Sequence, residues 1–455
     1  MRRHVLIGRM GPDDDLALPI ASDEVATELQ LIASNKRFDH GIGQALDELP
    51  TLGIFPTEIG LDVLVLAAHV HAADTRISRT TESQDTWTRE IRLVVPVSDT
   101  VRWMESKTLL ERMLNFLTGD RWNVGFRARP ERFVEAIRKP PTIVTPPRFT
   151  EVSLFSGGLD SLIGAIDLLE AGRVPLLISH AGEGATSDAQ KILYHGLKKC
   201  YQHVPFARMR VWMNFPAGLV AGSPGEDTTR GRSFLFIACG LFAGSGLNGA
   251  FPLKVPENGL IALNVPLDVL RLGSNSTRTT HPFYMSCWND LTQLLNIPAI
   301  IENPYWSRTK GEMIADCANL PLLTGLIPDS MSCSSPTKAR WQGQGIQHCG
   351  YCLPCLIRRA AIRRGIGTDA TTYTLTDLNS RSLNTREAEG QQVRSFQVAI
   401  RRLEEKPAIA SALIYKSGPL IDHTEEEKLA LAAVYSRGLN EVASVLAHAQ
   451  TRPSS

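Results

Sequence analysis

Short apolar runs alternate with amphipathic stretches through the middle of the chain. The run EVSLFS is followed by the helical pattern LDSLIGAIDLLEAG, then by VPLLISHA, a helix around DAQKILYHGLKKCYQ, and MRVWMNF. Such alternation predicts a parallel sheet with crossover helices. It continues with a helix over 229–244, a strand at GLIALN, a helix from about Ser286, a strand at AIIENPY and a helix that begins near Thr309. Residues 150–365 are therefore expected to form a doubly wound parallel α/β domain.

The flanks carry other patterns. A helical stretch over 59–79 surrounds LDVLVLAAHVHAAD, WTREIRLVVPV alternates like a strand, and VRWMESKTLLERMLNFLTGD has helical periodicity. Together they predict an α+β N-terminal domain over residues 1–140, with no evident chemistry of its own. The segment IRKPPTIVTPPRF, residues 137–149, holds Pro140, Pro141, Pro146 and Pro147, which break helices and ladders alike and mark a domain boundary. From 366 to 455 the chain is polar. TREAEGQQVRSFQVAIRRLEEK and EEEKLALAAVYSRGLNEVASVLAHA predict a helical C-terminal extension, with TRPSS as a frayed end.

Composition narrows the class. The 455 residues are 43% hydrophobic and 21% charged with a formal net charge of +1, so nothing global marks a direct nucleic-acid or membrane-surface binder. The opening MRRHVLIGRM has too short an apolar run for a signal peptide, and no apolar run approaches the roughly 18 residues of a membrane span. A cytoplasmic protein is the expectation. Cys200, Cys239, Cys287 and Cys317 stand singly and suit buried small hydrophobes.

Residues 156–161 carry the strongest chemical signal. Ser156, Gly157, Gly158, Leu159, Asp160 and Ser161 lie between a predicted strand and a predicted helix. Helix starts present unpaired N–H groups to anions, glycines let backbone approach a phosphate, and serine hydroxyls donate to its oxygens. Asp160 would be repelled by bare phosphate, which suits it to holding Mg²⁺. The alternative is a glycine-rich turn in which Asp160 and Ser161 only cap the helix. There is no lysine of the Walker type and no dinucleotide G-x-G-x-x-G here. Lys310, between Thr309 and Glu312, and Arg230 and Arg232 open later helices, where the dipole disfavours cations unless they serve an anion.

A second cluster follows. Cys333, Cys349, Cys352 and Cys355 make C-x15-C-x2-C-x2-C, which fits a closed four-thiolate zinc site. An iron–sulfur cluster and free thiols are the alternatives. His348 is treated as a bystander.

The loop SGGLDS resembles that of the PP-loop ATP pyrophosphatase superfamily at every fixed position. With the G-R helix start, the T-K-x-E helix start and C…C-G-x-C-x2-C followed by arginines, residues 151–365 resemble the 7-cyano-7-deazaguanine synthase (QueC) family. The resemblance implies that ATP binds at Ser156 to Ser161 and Lys310, with Asp160, Lys310 and Arg232 catalytic. ATP is then cleaved between its α- and β-phosphates to adenylate a 7-carboxy-7-deazaguanine-like acid, which passes to a nitrogen nucleophile. Three features depart from that family: Ser233 follows Gly231 and Arg232, STRTTHPFYMSCW (276–288) replaces its Asp-Cys-Arg-Pro segment, and the first cysteine gap is long. The added flanks are similar to the QueC-like proteins of anti-phage defence systems, the QatC type, which implies a partner protein whose amine is the acceptor. An ammonia-using synthase, a PP-loop tRNA-modifying enzyme and a non-catalytic nucleotide-sensing subunit are the alternatives, and the reading admits a homo-oligomer.

Overall fold

The computed structural model describes residues 2–33, 37–83, 85–137, 148–182, 184–268 and 278–453. The prolines taken as a domain boundary, Pro140 to Pro147, lie outside these, as do Ser276, Thr277, Ser454 and Ser455.

The first part of the chain runs β1 (Arg3–Arg9), β2 (Glu24–Gln30), α1 (Ile42–Thr51), α2 (Glu58–Arg76), α3 (Arg79–Glu82), β3 (Glu90–Val97), α4 (Thr100–Thr118) and β4 (Arg121–Ala128). Its four strands form a sheet in the order β2-β1-β3-β4, and every pair is parallel. The expected α+β arrangement is therefore corrected to parallel α/β. The run HVLIGR is a strand whose last six residues are all buried, and such a strand shows no period-2 alternation to announce itself.

The second part runs β5 (Glu151–Leu154), α5 (Leu159–Glu170), β6 (Pro175–His180), α6 (Gly184–Cys200), β7 (Ala207–Val211), α7 (Arg232–Gly244), β8 (Phe251–Lys254), α8 (Gly259–Leu263), α9 (Pro282–Leu294), β9 (Ala299–Glu302), α10 (Lys310–Ala315), α11 (Leu320–Leu326) and α12 (Leu353–Gly365). Its five strands are all parallel in the order β7-β6-β5-β8-β9. Helices cover both faces: α7 and α9 on one, α5, α6 and α10 on the other, each with its own buried core. The strand order reverses between β5 and β8, and open sheets of this kind leave a crevice at the strand C-termini there.

One strand was misplaced by sequence reading. GLIALN is the helix α8, because Asn258 accepts from the Ile261 N–H and so starts a turn, and Asn264 ends it in the left-handed region at φ 47. The strand is FPLK, just before it. The helix expected from about Ser286 starts earlier, at Pro282, with His281 accepting from the Phe283 N–H.

The two sheets share one hydrophobic core through α2. Every residue of α2 from Gly60 to Thr75 is buried, with apolar side chains spread round the helix and Asp62, His69, His71 and Asp74 buried among them. It packs against the first sheet on one side and α7 on the other, and a methyl at Gly60 would lie 2.1 Å from the Ser245 hydroxyl.

The remainder is β10 (Leu383–Asn384), α13 (Ala388–Glu405), α14 (Ala410–Leu413), α15 (Glu425–Leu446) and β11 (Thr451–Arg452). These helices bury a third core against α8 and α12. The end expected to fray instead pairs Thr451 and Arg452 in parallel with Leu383 and Asn384. Among the described residues no helix is long and apolar enough to cross a membrane.

Candidate functional site

At the C-terminal end of β5 the chain turns through Ser156, Gly157 and Gly158 into α5. Gly157 has φ 83, and a Cβ there would meet the Gln190 N at 3.1 Å and the Thr186 carbonyl oxygen at 3.1 Å, so only glycine fits without strain. Gly158 is the N-cap of α5 and has no side chain to satisfy the first-turn N–H groups. The two serines close the turn: their hydroxyls lie 3.1 Å apart, and Ser161 donates to the Gly158 carbonyl at 3.0 Å.

This loop forms one wall of a cavity of about 470 Å³. Opposite stands Lys310, only 4% exposed, with its ammonium 3.1 Å from Asp160 Oδ1. The other Asp160 oxygen accepts from the Asn258 side chain at 2.8 Å and from its N–H at 3.2 Å. Lys310 is aimed by a capping box: Thr309 accepts from the Glu312 N–H, and Glu312 accepts from the Thr309 N–H. The sequence expectations for Asp160 and Lys310 thus converge on one buried ion pair in one cavity.

Arg232 is not part of that wall. Its guanidinium lies near Gly182 and raises the local positive potential at His180 and His71, whose pKa values burial has already pushed down to about 3 and about 4. Arg230 is a structural residue. It stacks on the Trp87 ring at 3.9 Å and donates to the Thr118 carbonyl at 2.9 Å.

Sequence reading missed Glu257, because it sits on the loop after the unrecognised strand β8. It lines the cavity, and burial together with the nearby charge of Asp160 pushes its pKa up to about 7, against the pull of Thr280 and Lys310. Also missed were Gln392 and Phe396 of α13, which supply part of the wall. The C-terminal extension therefore contributes directly to the cavity.

The four predicted thiols come together. The sulfurs of Cys333, Cys349, Cys352 and Cys355 all lie within 4.8 Å of one another, with Cys333–Cys352 and Cys349–Cys355 at 3.9 Å. Four thiolates at about 2.3 Å around a tetrahedral ion would stand roughly 3.8 Å apart, so the group can hold a metal such as zinc. Backbone N–H groups donate to the sulfurs, as from Cys349 to Cys333 at 3.3 Å and from Cys352 to Cys349 at 3.3 Å. His348 is turned to another task and accepts from the Ser332 N–H at 3.2 Å. Of the single cysteines, Cys239, Cys287 and Cys317 are buried as expected, but Cys200 is exposed.

The cysteine segment also touches the loop. The Met331 N–H donates to the Gly157 carbonyl at 2.9 Å, and Ser332 Oγ stands 3.4 Å from the Leu159 N. Leu353, Pro354 and Ile357 of α12 continue from the cluster into the cavity wall. No protein-family model and no curated protein matches this chain.

Proposed function

We propose that the cavity binds ATP and that the protein is a PP-loop ligase that adenylates a carboxylate and transfers it to nitrogen. The observation that carries this reading is the meeting of the Ser156–Ser161 turn with a buried Asp160–Lys310 pair at the point where the strand order of a parallel sheet reverses. In this reading the turn and the start of α5 hold the pyrophosphate end of ATP. Lys310 neutralises pyrophosphate as it leaves, and its release from Asp160 frees a carboxylate that would hold Mg²⁺. The four-cysteine group, closed by its own ligands, would hold zinc as a fastener for the Met331–Ser332 wall.

The resemblance to the QueC family points to a 7-carboxy-7-deazaguanine-like acid as substrate. The acceptor is proposed to be larger than ammonia, the amine of a partner protein in an anti-phage defence system. The motive is the departure from the family at Ser233 and at 276–288; of that segment Thr280 donates its hydroxyl to the cavity residue Glu257, while His281 is buried and caps α9. The test is exchange of labelled pyrophosphate into ATP that depends on 7-carboxy-7-deazaguanine and Mg²⁺, followed by intact-mass analysis of a co-expressed partner. Acid-dependent exchange and a partner heavier by one deazaguanine acyl group support the reading. Efficient conversion of ammonia to free 7-cyano-7-deazaguanine, with the partner unmodified, would replace it by the ordinary synthase activity.

A further inference from the structure

One carboxylate in the cavity has no part in the phosphate site proposed above. Glu257 follows β8 and is pinned by Asn303, whose Oδ1 accepts from the Glu257 N–H at 3.2 Å while its Nδ2 donates to the Glu257 carbonyl at 2.7 Å. The Thr280 hydroxyl donates to Glu257 Oε2, which fixes the side chain as well as the backbone. Asp160, the other carboxylate in the wall, is engaged by Lys310 and twice by Asn258. Glu257 is thus a positioned carboxylate that faces the reaction space without a cation bonded to it among the contacts of the described residues.

We propose that Glu257 is the catalytic base of nitrogen transfer, taking the proton that a primary amine sheds as it attacks the activated carboxylate. This rests on the adenylating function proposed above and adds to it the group that readies the acceptor. The amine nitrogen forms a bond to the acyl carbon, and the bond from that carbon to the AMP oxygen breaks, with its electron pair leaving on the AMP phosphate. The attacking nitrogen then carries one proton too many, and that proton passes to the Glu257 carboxylate. An alkylamine has a pKa near 10.4 and enters mostly as its ammonium, so one further proton must go to solvent before attack. A base works best when its pKa lies near the working pH, and burial holds Glu257 at about 7. An ordinary exposed glutamate, near 4.3, would be a poorer acceptor.

The experiment compares the full-length protein with Glu257→Gln, using 7-carboxy-7-deazaguanine, ATP and Mg²⁺. Acid-dependent pyrophosphate exchange reports adenylation, while amide formation from methylamine and hydroxamate formation from hydroxylamine both report the assisted attack, since either nitrogen sheds a proton as it bonds to the acyl carbon. Glu257→Gln should lower amide formation by about 100-fold or more, the usual worth of a positioned base. Hydroxamate formation should fall with it, exchange should fall by much less, and the rise of the wild-type hydroxamate rate through pH 7, where hydroxylamine is already neutral, should disappear. Exchange reduced as far as amide formation would overturn the proposal, since Glu257 would then serve ATP or its cation. An unchanged amide rate would also overturn it. Wild-type protein without any exchange would remove the adenylating function itself, and this role with it.

Discussion

A lysine as enclosed as Lys310 is costly to bury alone, and Asp160 offsets that cost only while the pair is intact. Asp160→Asn or Lys310→Met should therefore destabilise the fold by up to about 3–5 kcal/mol, through the charge left behind, and should lower AMP formation by about 100-fold or more. The double variant Asp160→Asn/Lys310→Met separates the two effects. It should recover most of the urea midpoint and none of the activity, and a double variant that turned over normally would remove both residues from the proposed chemistry. Asp160, like the glycines beside it, was legible because S-G-G-x-D-S sets particular residue types at fixed spacing, and Lys310 because a cation at a helix start runs against the dipole. Glu257 was not, since a single carboxylate among many gains its character from burial and from Asn303 and Thr280, far off in sequence. Arg232 shows the converse: a basic residue at a helix start looks the same in sequence whether it lines the cavity or, as here, stands near Gly182 and His180.

At the scale of elements, the cysteine segment links the four-thiol group to the cavity. Cys352 is the N-cap of α12, whose first turn carries Leu353 and Pro354 into the wall, and Met331 is tied by its N–H to Gly157. Purified protein should contain about one zinc per chain, because closed four-thiolate sites contribute folding free energy and are seldom empty. Stripping the metal with a chelator at neutral pH should then loosen residues 330–357, seen as faster amide exchange there and at 156–159, and weaken ATP binding. Iron with sulfide in the protein would reject zinc, and full ATP affinity after metal removal would break the link between the two sites. The spacing of the cysteines announced this element, whereas β8 and α8 were confused because FPLK is short and contains Pro252, while GLIALN is apolar enough for either state. What decided between them was the cap at Asn258, a local hydrogen bond rather than a periodicity.

Across the whole molecule, the helix α2 lies between two parallel sheets and α13 closes the cavity, so neither flank is a detachable appendage. That arrangement was illegible because a helix buried on every side has no polar face to show which partner it meets. A chain ending at Gly365 should lose the wall formed by Gln392 and Phe396 together with most of the third core, and so lose ATP binding; a well-folded truncation that bound ATP normally would show α13 to be dispensable. The shared core also makes stability depend on pH. His69 and His71 on α2 have their pKa values lowered by burial to about 4, and His180 and His281 to about 3. In the unfolded chain each titrates near 6.5, so as pH falls below that value the unfolded state takes up protons that the native state refuses. Each such histidine removes about 1.4 kcal/mol of stability per pH unit until the pH reaches its folded value. Glu257 acts in the opposite sense between about 4.5 and 7, where the folded state keeps a proton that the unfolded state has lost, and so do Glu48, Asp62, Asp74 and Glu441, whose pKa values burial also raises, but the histidines, His4 among them, begin to act first, at about 6.5. The urea midpoint should thus stay nearly level from pH 8 to 7 and fall steeply from 6.5 to 5. His281→Asn, which keeps a capping acceptor for α9 but cannot titrate, should make that fall shallower, and a midpoint that did not move between pH 6.5 and 5 would mean these imidazoles reach solvent after all.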